Sequence, residues 1–118
     1  MTLQFPLHLT IDGPPVGKER PRRGANGHWY TPTKTVDYER KVAMTFLRTF
    51  RQKLDPPANS LGLVYYSATK RCPDADNILK IFGDALIGLA WKDDRGVGMS
   101  AIYGGIDLER PRVEVTLK

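Results

Sequence analysis

Acidic residues capable of metal chemistry stand close together along the chain. Asp74 and Asp76 are two residues apart, and the adjacent pair Asp93 and Asp94 offers two further carboxylates. In extended backbone, residues i and i+2 point to the same side, so the first two carboxylates are expected to converge on one point. Carboxylates held together repel unless a cation relieves them, and oxygen ligands without a His or Cys cluster favour Mg²⁺ or Mn²⁺ over Zn²⁺. This stretch therefore predicts a divalent-metal site.

A lysine follows the second aspartate at the spacing of one helical turn. Lys80 lies four residues after Asp76 and can reach the same region. A metal held by carboxylates polarises a phosphoryl oxygen and lowers the pKa of an attacking water, and a lysine offsets the charge that grows on the phosphate. The combination suits hydrolysis of a phosphodiester.

Structural explanations of the same residues stay open. Asp74 or Asp76 could serve only as a helix N-cap, since aspartate is favoured there. Lys80 could pair with Asp76 or Asp84, both four residues away. Asp84 is interpreted as a structural residue that orients Lys80 or the helix.

Hydrophobic periodicity predicts the elements that position these residues. Alternating apolar residues indicate strands, and apolar steps of three and four indicate amphipathic helices. The predicted elements are a strand over 3–11, a helix from Thr33 or Thr35 to about 54, a central strand over 61–68, a helix after Asp76 ending near 88–91, and strands over 97–103 and 112–117. The order β-α-β-α-β-β predicts an α/β fold with two helices packed on one face of a small mixed sheet.

Most of the excess positive charge lies in a long loop without predicted secondary structure, residues 14–34. Its five basic residues against Glu19 give a net charge of five minus one, or +4, compared with +5 for the whole chain. The basic residues are Lys18, Arg20, Arg22, Arg23 and Lys34. Such a loop is expected to hold a DNA backbone, although an ordinary solvated surface is the alternative. Trp29 and Tyr30 could stack on exposed bases or pack the loop against the body.

Length and composition predict one domain over residues 1–118, because 118 residues rarely build two cores. The lone Cys72 excludes an intrachain disulfide and a multi-cysteine metal site. No apolar run reaches the roughly 18 residues of a membrane span and no secretory signal is visible, so no membrane association and a cytoplasmic location are expected.

Three strings of the sequence resemble one known family. DADNILKIFGDALIG followed by WKDD, together with PPVGKERPRR near the start, is similar to the RusA-type crossover junction (Holliday junction) endodeoxyribonucleases over roughly residues 7 to 117. The resemblance implies a RusA-like fold and a homodimeric, Mg²⁺-dependent endonuclease of DNA recombination and repair, with Mn²⁺ as a substitute ion. Such an enzyme would resolve Holliday junctions, which are four-way branched DNA, by paired symmetric cleavage.

The resemblance also implies roles for individual residues. The family's catalytic positions fall on Asp74, Asp76, Lys80 and Asp94, the three aspartates being metal ligands, and Asp94 is preferred over Asp93. The residues expected to contact DNA are Lys18, Arg20, Arg22, Arg23, Lys70 and Arg71.

The chain departs from the family pattern at two places. Cys72 stands where the family often has a lysine, with Lys70 and Arg71 shifted upstream, and residues 97–103 contain no lysine. Both departures concern DNA affinity more than the metal site. The main alternative function is a non-catalytic basic DNA-binding protein that uses the 14–34 loop, and an inhibitor or adaptor is a further one. For the dimer, residues 61–66 and the face of residues 46–54 are two candidate patches.

Overall fold

The computed structural model describes residues 3–118. Its elements, in chain order, are β1 (Leu7–Asp12), β2 (Arg22–Arg23), β3 (Trp29–Tyr30), α1 (Thr33–Phe50), β4 (Ser60–Ser67), α2 (Ala75–Ala85), β5 (Gly98–Ile106) and β6 (Arg112–Leu117). Four strands form the main sheet in the order β1-β6-β4-β5, and β2 and β3 form a separate hairpin. The β4–β5 pair is parallel and the other pairs of the main sheet are antiparallel, so the predicted α/β fold with a mixed sheet is confirmed.

The helices cover one face of this sheet. Burial alternates strictly along β4, where Leu61, Leu63 and Tyr65 are buried and the residues between them are only half-buried. The buried residues of β1 and β6 continue the same layer, and α1 packs on α2 and β1 while α2 packs on β5. Phe46 of α1 and Phe82 of α2 are fully buried in the resulting core. The opposite face of the sheet, here called the uncovered sheet face, has no helix on it among residues 3–118.

The predicted boundaries differ from the observed ones at several elements. Helix α2 ends at Ala85 rather than near residues 88–91, and β5 ends at Ile106 rather than at residue 103. The first strand begins at Leu7 rather than residue 3. Helix α1 ends at Phe50 because Arg51 adopts a left-handed conformation (φ 59°) and its N–H donates to the carbonyl of Leu47 at 2.8 Å. Leu54 lies beyond the end of the helix but is still buried, and its backbone N–H donates to the carbonyl of Leu89. The apolar residue at position 54 therefore reflects packing of the segment after the helix, not a further helical turn.

A further difference lies in the predicted structureless loop, which contains the β2–β3 hairpin. Its strands are two residues long and carry no apolar alternation, so periodicity could not reveal them. None of the helices in the described part of the chain is long and apolar enough to cross a membrane.

Candidate active site

The first aspartate of the pair stands at the start of α2 without capping it through its side chain. Asp74 is the N-cap residue in extended conformation (φ −63°, ψ 145°) and makes no side-chain cap hydrogen bond. Its backbone carbonyl accepts the N–H groups of Asn77 and Ile78 at 3.0 and 3.1 Å. The backbone therefore begins the helix, and the exposed carboxylate is left for another purpose, contrary to the N-cap explanation.

The second aspartate already belongs to the helix. Asp76 lies in the first turn of α2, which begins at Ala75, so the expectation that extended backbone aligns the carboxylates of Asp74 and Asp76 is wrong. Helical spacing instead places Asp76 on the same side of α2 as Lys80 and Gly83, at i, i+4 and i+7. Negative charge in this first turn is favourable to the helix dipole.

The third carboxylate approaches this same side of α2. A Cβ built on Gly83 would come 3.2 Å from Oδ2 of Asp94, so the missing side chain lets the Asp94 loop lie against the helix. Trp91 is buried and its indole N–H donates to the carbonyl of Gly83 at 3.3 Å, which ties that loop to α2. Sequence reasoning missed Gly83, and the only signal was a glycine within a strong helical pattern.

The adjacent carboxylate is occupied elsewhere. Asp93 accepts the backbone N–H of Arg95 at 2.8 Å and its Nε–H at 2.9 Å, and this hydrogen bonding to Arg95 lowers the pKa of the Asp93 carboxyl. Asp94 has no ion pair within residues 3–118, in keeping with the preference for Asp94 over Asp93 as the ligand.

Lys80 is exposed and, within the described chain, forms no salt bridge. The alternative in which it pairs with Asp76 or Asp84 is therefore not observed. Asp84 binds the ammonium of Lys18, which also lies 3.9 Å from Oε1 of Glu39. The expected orientation of Lys80 by Asp84 is therefore not observed, and Asp84 pairs instead with a residue far away in sequence.

The pair of tyrosine rings near Asp74 was also not predicted from the sequence. The rings of Tyr65 and Tyr103 lie 5.3 Å apart, and the hydroxyls of Tyr103 and Ser67 are hydrogen bonded at 2.7 Å. Burial raises the pKa of Tyr65, and the neighbouring Cys72, Tyr103 and Asp74 raise it further. Burial also raises the pKa of Cys72, so its thiol stays protonated at neutral pH and is a poor metal ligand.

The three candidate ligands are of the type that binds a hard cation, but they are not close together in the structure. Asp74, Asp76 and Asp94 supply only carboxylate oxygens, the ligands that Mg²⁺ prefers. Among residues 3–118, however, no three acidic, histidine or cysteine side chains are close enough to hold an ion as they stand. Asp74 and Asp76 flank the start of α2, and Asp94 lies near Gly83 about two turns along it.

The predicted DNA-binding loop is attached to the start of α2. We call residues 14–32 the basic arm. The N–H of Lys18 donates to the carbonyl of Asn77 at 2.9 Å, and the N–H of Glu19 donates to Oγ1 of the buried Thr35 at 3.2 Å. A Cβ built on Gly17 would lie 2.8 Å from Cβ of Pro73, so only glycine fits beside the residue that precedes Asp74.

The arm and α2 enclose an open cleft. It has a volume of about 700 Å³ and is lined by Lys18, Glu19, Arg20, Pro21, Arg22, Asn77 and Lys80. Lys80 thus joins the side of α2 that carries Asp76 to the arm that carries the arginines. The ammonium of Lys18 is engaged by Asp84 and Glu39, whereas Arg20 and Arg23 have no ion pair within residues 3–118.

The remaining predicted DNA contacts lie on the other side of the aspartates in sequence. Lys70 and Arg71 are exposed in the segment between β4 and α2, where the N–H of Arg71 donates to Oγ1 of Thr69 at 3.2 Å. Neither has a salt-bridge partner in the part of the chain that the structure describes. Exposed cations therefore stand on both flanks of Asp74.

The site has the features of a protein that acts on nucleic acids. It combines exposed carboxylates on a helix, an unpaired lysine one turn further along that helix and a cationic arm beside them. Comparison with known proteins agrees: the family Endodeoxyribonuclease RusA matches residues 12–118. The chain belongs to this family of Holliday-junction-resolving nucleases, so the predicted membership is confirmed. No curated protein gives a significant match.

Proposed function

We propose that the protein is a divalent-metal-dependent endonuclease that resolves Holliday junctions by paired, symmetric cleavage, with Mg²⁺ as its ion and Mn²⁺ as a substitute. One observation carries this proposal beyond the family assignment. Lys80 faces the cleft beneath the basic arm from the same side of α2 that carries Asp76 and receives Asp94. We take residues 1–118 as a single RusA-like domain acting on chromosomal or phage DNA in the cytoplasm.

The chain's own residues then divide the work. Asp74, Asp76 and Asp94 would hold the cation, which when bound polarises the phosphoryl oxygen and makes water a better nucleophile. Lys80, with no competing carboxylate in the described chain, offsets the negative charge that develops on the phosphate during attack. Arg20 and Arg22, which line the cleft, and Arg23 next to them in the hairpin hold the adjoining DNA backbone. Asp94, which lies beside Gly83, would have to move towards Asp74 and Asp76 to share an ion with them.

The test is cleavage of a synthetic four-way junction beside linear duplex of the same sequence, across a titration of Mg²⁺ and Mn²⁺. The proposal expects paired nicks in the junction that require the metal, and little cutting of duplex. The non-catalytic alternative draws support from the absence of a ready three-ligand group among residues 3–118. Tight junction binding with no nick at any metal concentration would establish that alternative instead.

We further propose that the working unit is a two-fold dimer, because symmetric resolution needs two cuts and each chain supplies one aspartate set. Of the two candidate patches, residues 46–54 contribute Phe46 and Leu54 to the core. The patch 61–66 places Gly62, Val64 and Tyr66 on the uncovered sheet face, beside Ile102 of β5, which is 64% exposed. Closed two-fold pairing through this apolar part of the face is the arrangement we favour.

Sedimentation at assay concentrations tests the dimer. Ile102→Asp should shift the protein to monomers, whereas Leu47→Asp, on the exposed side of α1, serves as the matched control for the other patch. Mixed dimers of wild type and Asp76→Asn should nick one strand and fail at paired cuts. A single protomer that still resolves a junction would rule the dimer out.

A further inference from the structure

The hairpin of the basic arm exposes two aromatic side chains, Trp29 and Tyr30, to solvent. Trp29 is 69% exposed and Tyr30 is 51% exposed, so the alternative in which they pack the arm against the body is not observed. The other tryptophan, Trp91, is 4% exposed and lies in the core. An indole left in water loses the stabilisation that burial would give, which singles out Trp29 as a side chain suited to contacting a partner.

The hairpin holds these rings in a defined place. Arg22 pairs with Tyr30 and Arg23 with Trp29 across its two strands. The turn is closed by the N–H of Gly24, which donates to the carbonyl of His28 at 2.8 Å, and by the N–H of His28, which donates to Oδ1 of Asn26 at 3.1 Å. Each aromatic residue therefore has an arginine as its cross-strand neighbour on a short, hydrogen-bonded turn, and the two pairs lie on opposite faces of the hairpin.

We infer that Trp29 stacks on a DNA base exposed at the branch point, while Arg23, which lies opposite it in the hairpin, contacts a neighbouring phosphate. This inference rests on the proposed junction substrate. It adds a structural reason why the enzyme would bind a junction more tightly than a linear duplex. The charge of the hairpin favours DNA over another apolar surface, because Arg23 has no acidic partner within residues 3–118. Bases inside a duplex are covered by their neighbours, so a stacking ring gains contact only where base stacking is interrupted.

The discriminating measurement is the ratio of dissociation constants for linear duplex and four-way junction, taken in EDTA so that no strand is cut. Trp29→Ala should weaken junction binding by about tenfold, within the range known for base–aromatic stacking, and duplex binding by less than about twofold. Trp29→Phe should retain most of the preference, while Trp29→Leu, which keeps apolar bulk without a ring face, should lose it. Leu108→Ala, at an apolar site that is 76% exposed outside the arm, should change neither constant.

Tryptophan fluorescence gives a second readout that does not depend on affinity. The protein has two tryptophans, so the difference between wild type and Trp29→Phe isolates the emission of Trp29. Junction should quench that emission and shield it from acrylamide, and duplex should not.

Several results would overturn the inference. If Trp29→Ala loses affinity for junction and duplex equally, or keeps the wild-type preference for junctions, the inference is wrong. The proposed function would still stand in that case, provided that the wild-type protein cleaves junctions. Wild-type protein that neither prefers nor cuts junctions would instead remove both.

Discussion

Helix α2 and the basic arm meet at one cleft but are held in place by different forces. On α2, the side chains of Ile78, Ile81 and Phe82 are fully buried against the sheet and α1. In the arm, every residue from 20 to 31 except Gly24 is exposed, and the attachment is concentrated at residues 17–19. Apolar burial therefore fixes the carboxylates, whereas a few polar contacts and one close backbone approach fix the arginines.

This difference separates chemistry from DNA binding. Burying one large apolar side chain stabilises a fold by about 1.5–3 kcal/mol, while a typical intramolecular hydrogen bond adds only about 1 kcal/mol. Changes in the arm are thus expected to alter DNA affinity without unfolding the protein. Changes of Asp76 or Lys80, which do not contact the Lys18 anchor, should stop cleavage without loosening the arm.

The largest expected difference between the effects on cleavage and on DNA binding comes from substituting the carboxylates on α2 and on the loop that faces it. Asp76→Asn and Asp94→Asn should each reduce junction cleavage by at least about 100-fold, because an amide keeps the shape but lacks the charge that holds the cation. Junction affinity in EDTA should stay within about threefold of wild type, since the arm is untouched. Cleavage rates and binding isotherms on the same junction measure both quantities.

Asp93→Asn is the matched control for this pair. Its carboxylate already accepts two hydrogen bonds from Arg95, so its replacement should leave most of the cleavage rate. An Asp93→Asn variant as inactive as Asp94→Asn would mean that the ligand has been assigned to the wrong neighbour.

The same division explains which features the sequence predicts. Helix α2, the central strand and β6 follow from apolar periodicity, and the predicted bounds of β6, residues 112–117, match the structure. The arm's position depends on Gly17 fitting against Pro73 and on Lys18 reaching Asp84, 66 residues away, and neither interaction leaves a local pattern. The argument from extended backbone for the convergence of Asp74 and Asp76 does not apply, because the helix has already begun at Ala75.

A second prediction breaks the arm's attachment. Gly17→Ala would place a Cβ 2.8 Å from Cβ of Pro73 and 3.1 Å from that of Asn77, so the arm must move away from α2. We expect junction cleavage to fall about ten- to 100-fold, the size of effect that a displacement near 1 Å can cause in a positioned site. The thermal midpoint should change little, because the core of α2 is untouched.

Gly98→Ala provides the control for that variant. A Cβ there would meet only Cβ of Ser60 at 4.0 Å, an ordinary contact, so activity should be retained. Equal activity of the two alanine variants would show that the close approach at Gly17 does not position the arm.

A third prediction compares arginines within the arm. Arg22 is bound by Glu19 at 2.9 Å, whereas Arg20 and Arg23 have no ion pair in the described chain. Neutralising Arg20 or Arg23 to Gln should weaken binding to all DNA alike and reduce the log–log salt slope by about 0.9 for each phosphate that is no longer neutralised. Arg22→Gln should have the smaller effect, because DNA must compete with Glu19 for that guanidinium. An unchanged slope in a variant with Arg20, Arg22 and Arg23 all replaced by Gln would assign the arm to ordinary solvated surface.

The smallest expected effect concerns the carboxyl group beside the arm's anchor. Burial raises the pKa of Glu39 above its ordinary value of 4.5, Lys18 opposes this and Asp84 adds to it. A raised pKa in the folded state means that the stability linked to this group is present below the unfolded pKa and is lost as the pH rises through the folded value. Glu39→Gln cannot ionise, so its stability relative to wild type should rise between pH 4 and pH 7, by roughly 0.5 kcal/mol or less, as for other partly exposed sites. Urea unfolding at both pH values measures this difference. If Glu39→Gln instead loses stability relative to wild type as the pH rises, the attraction between Glu39 and Lys18 is stronger than the cost of burying the Glu39 charge. The anchor of the arm would then need the carboxylates of both Glu39 and Asp84.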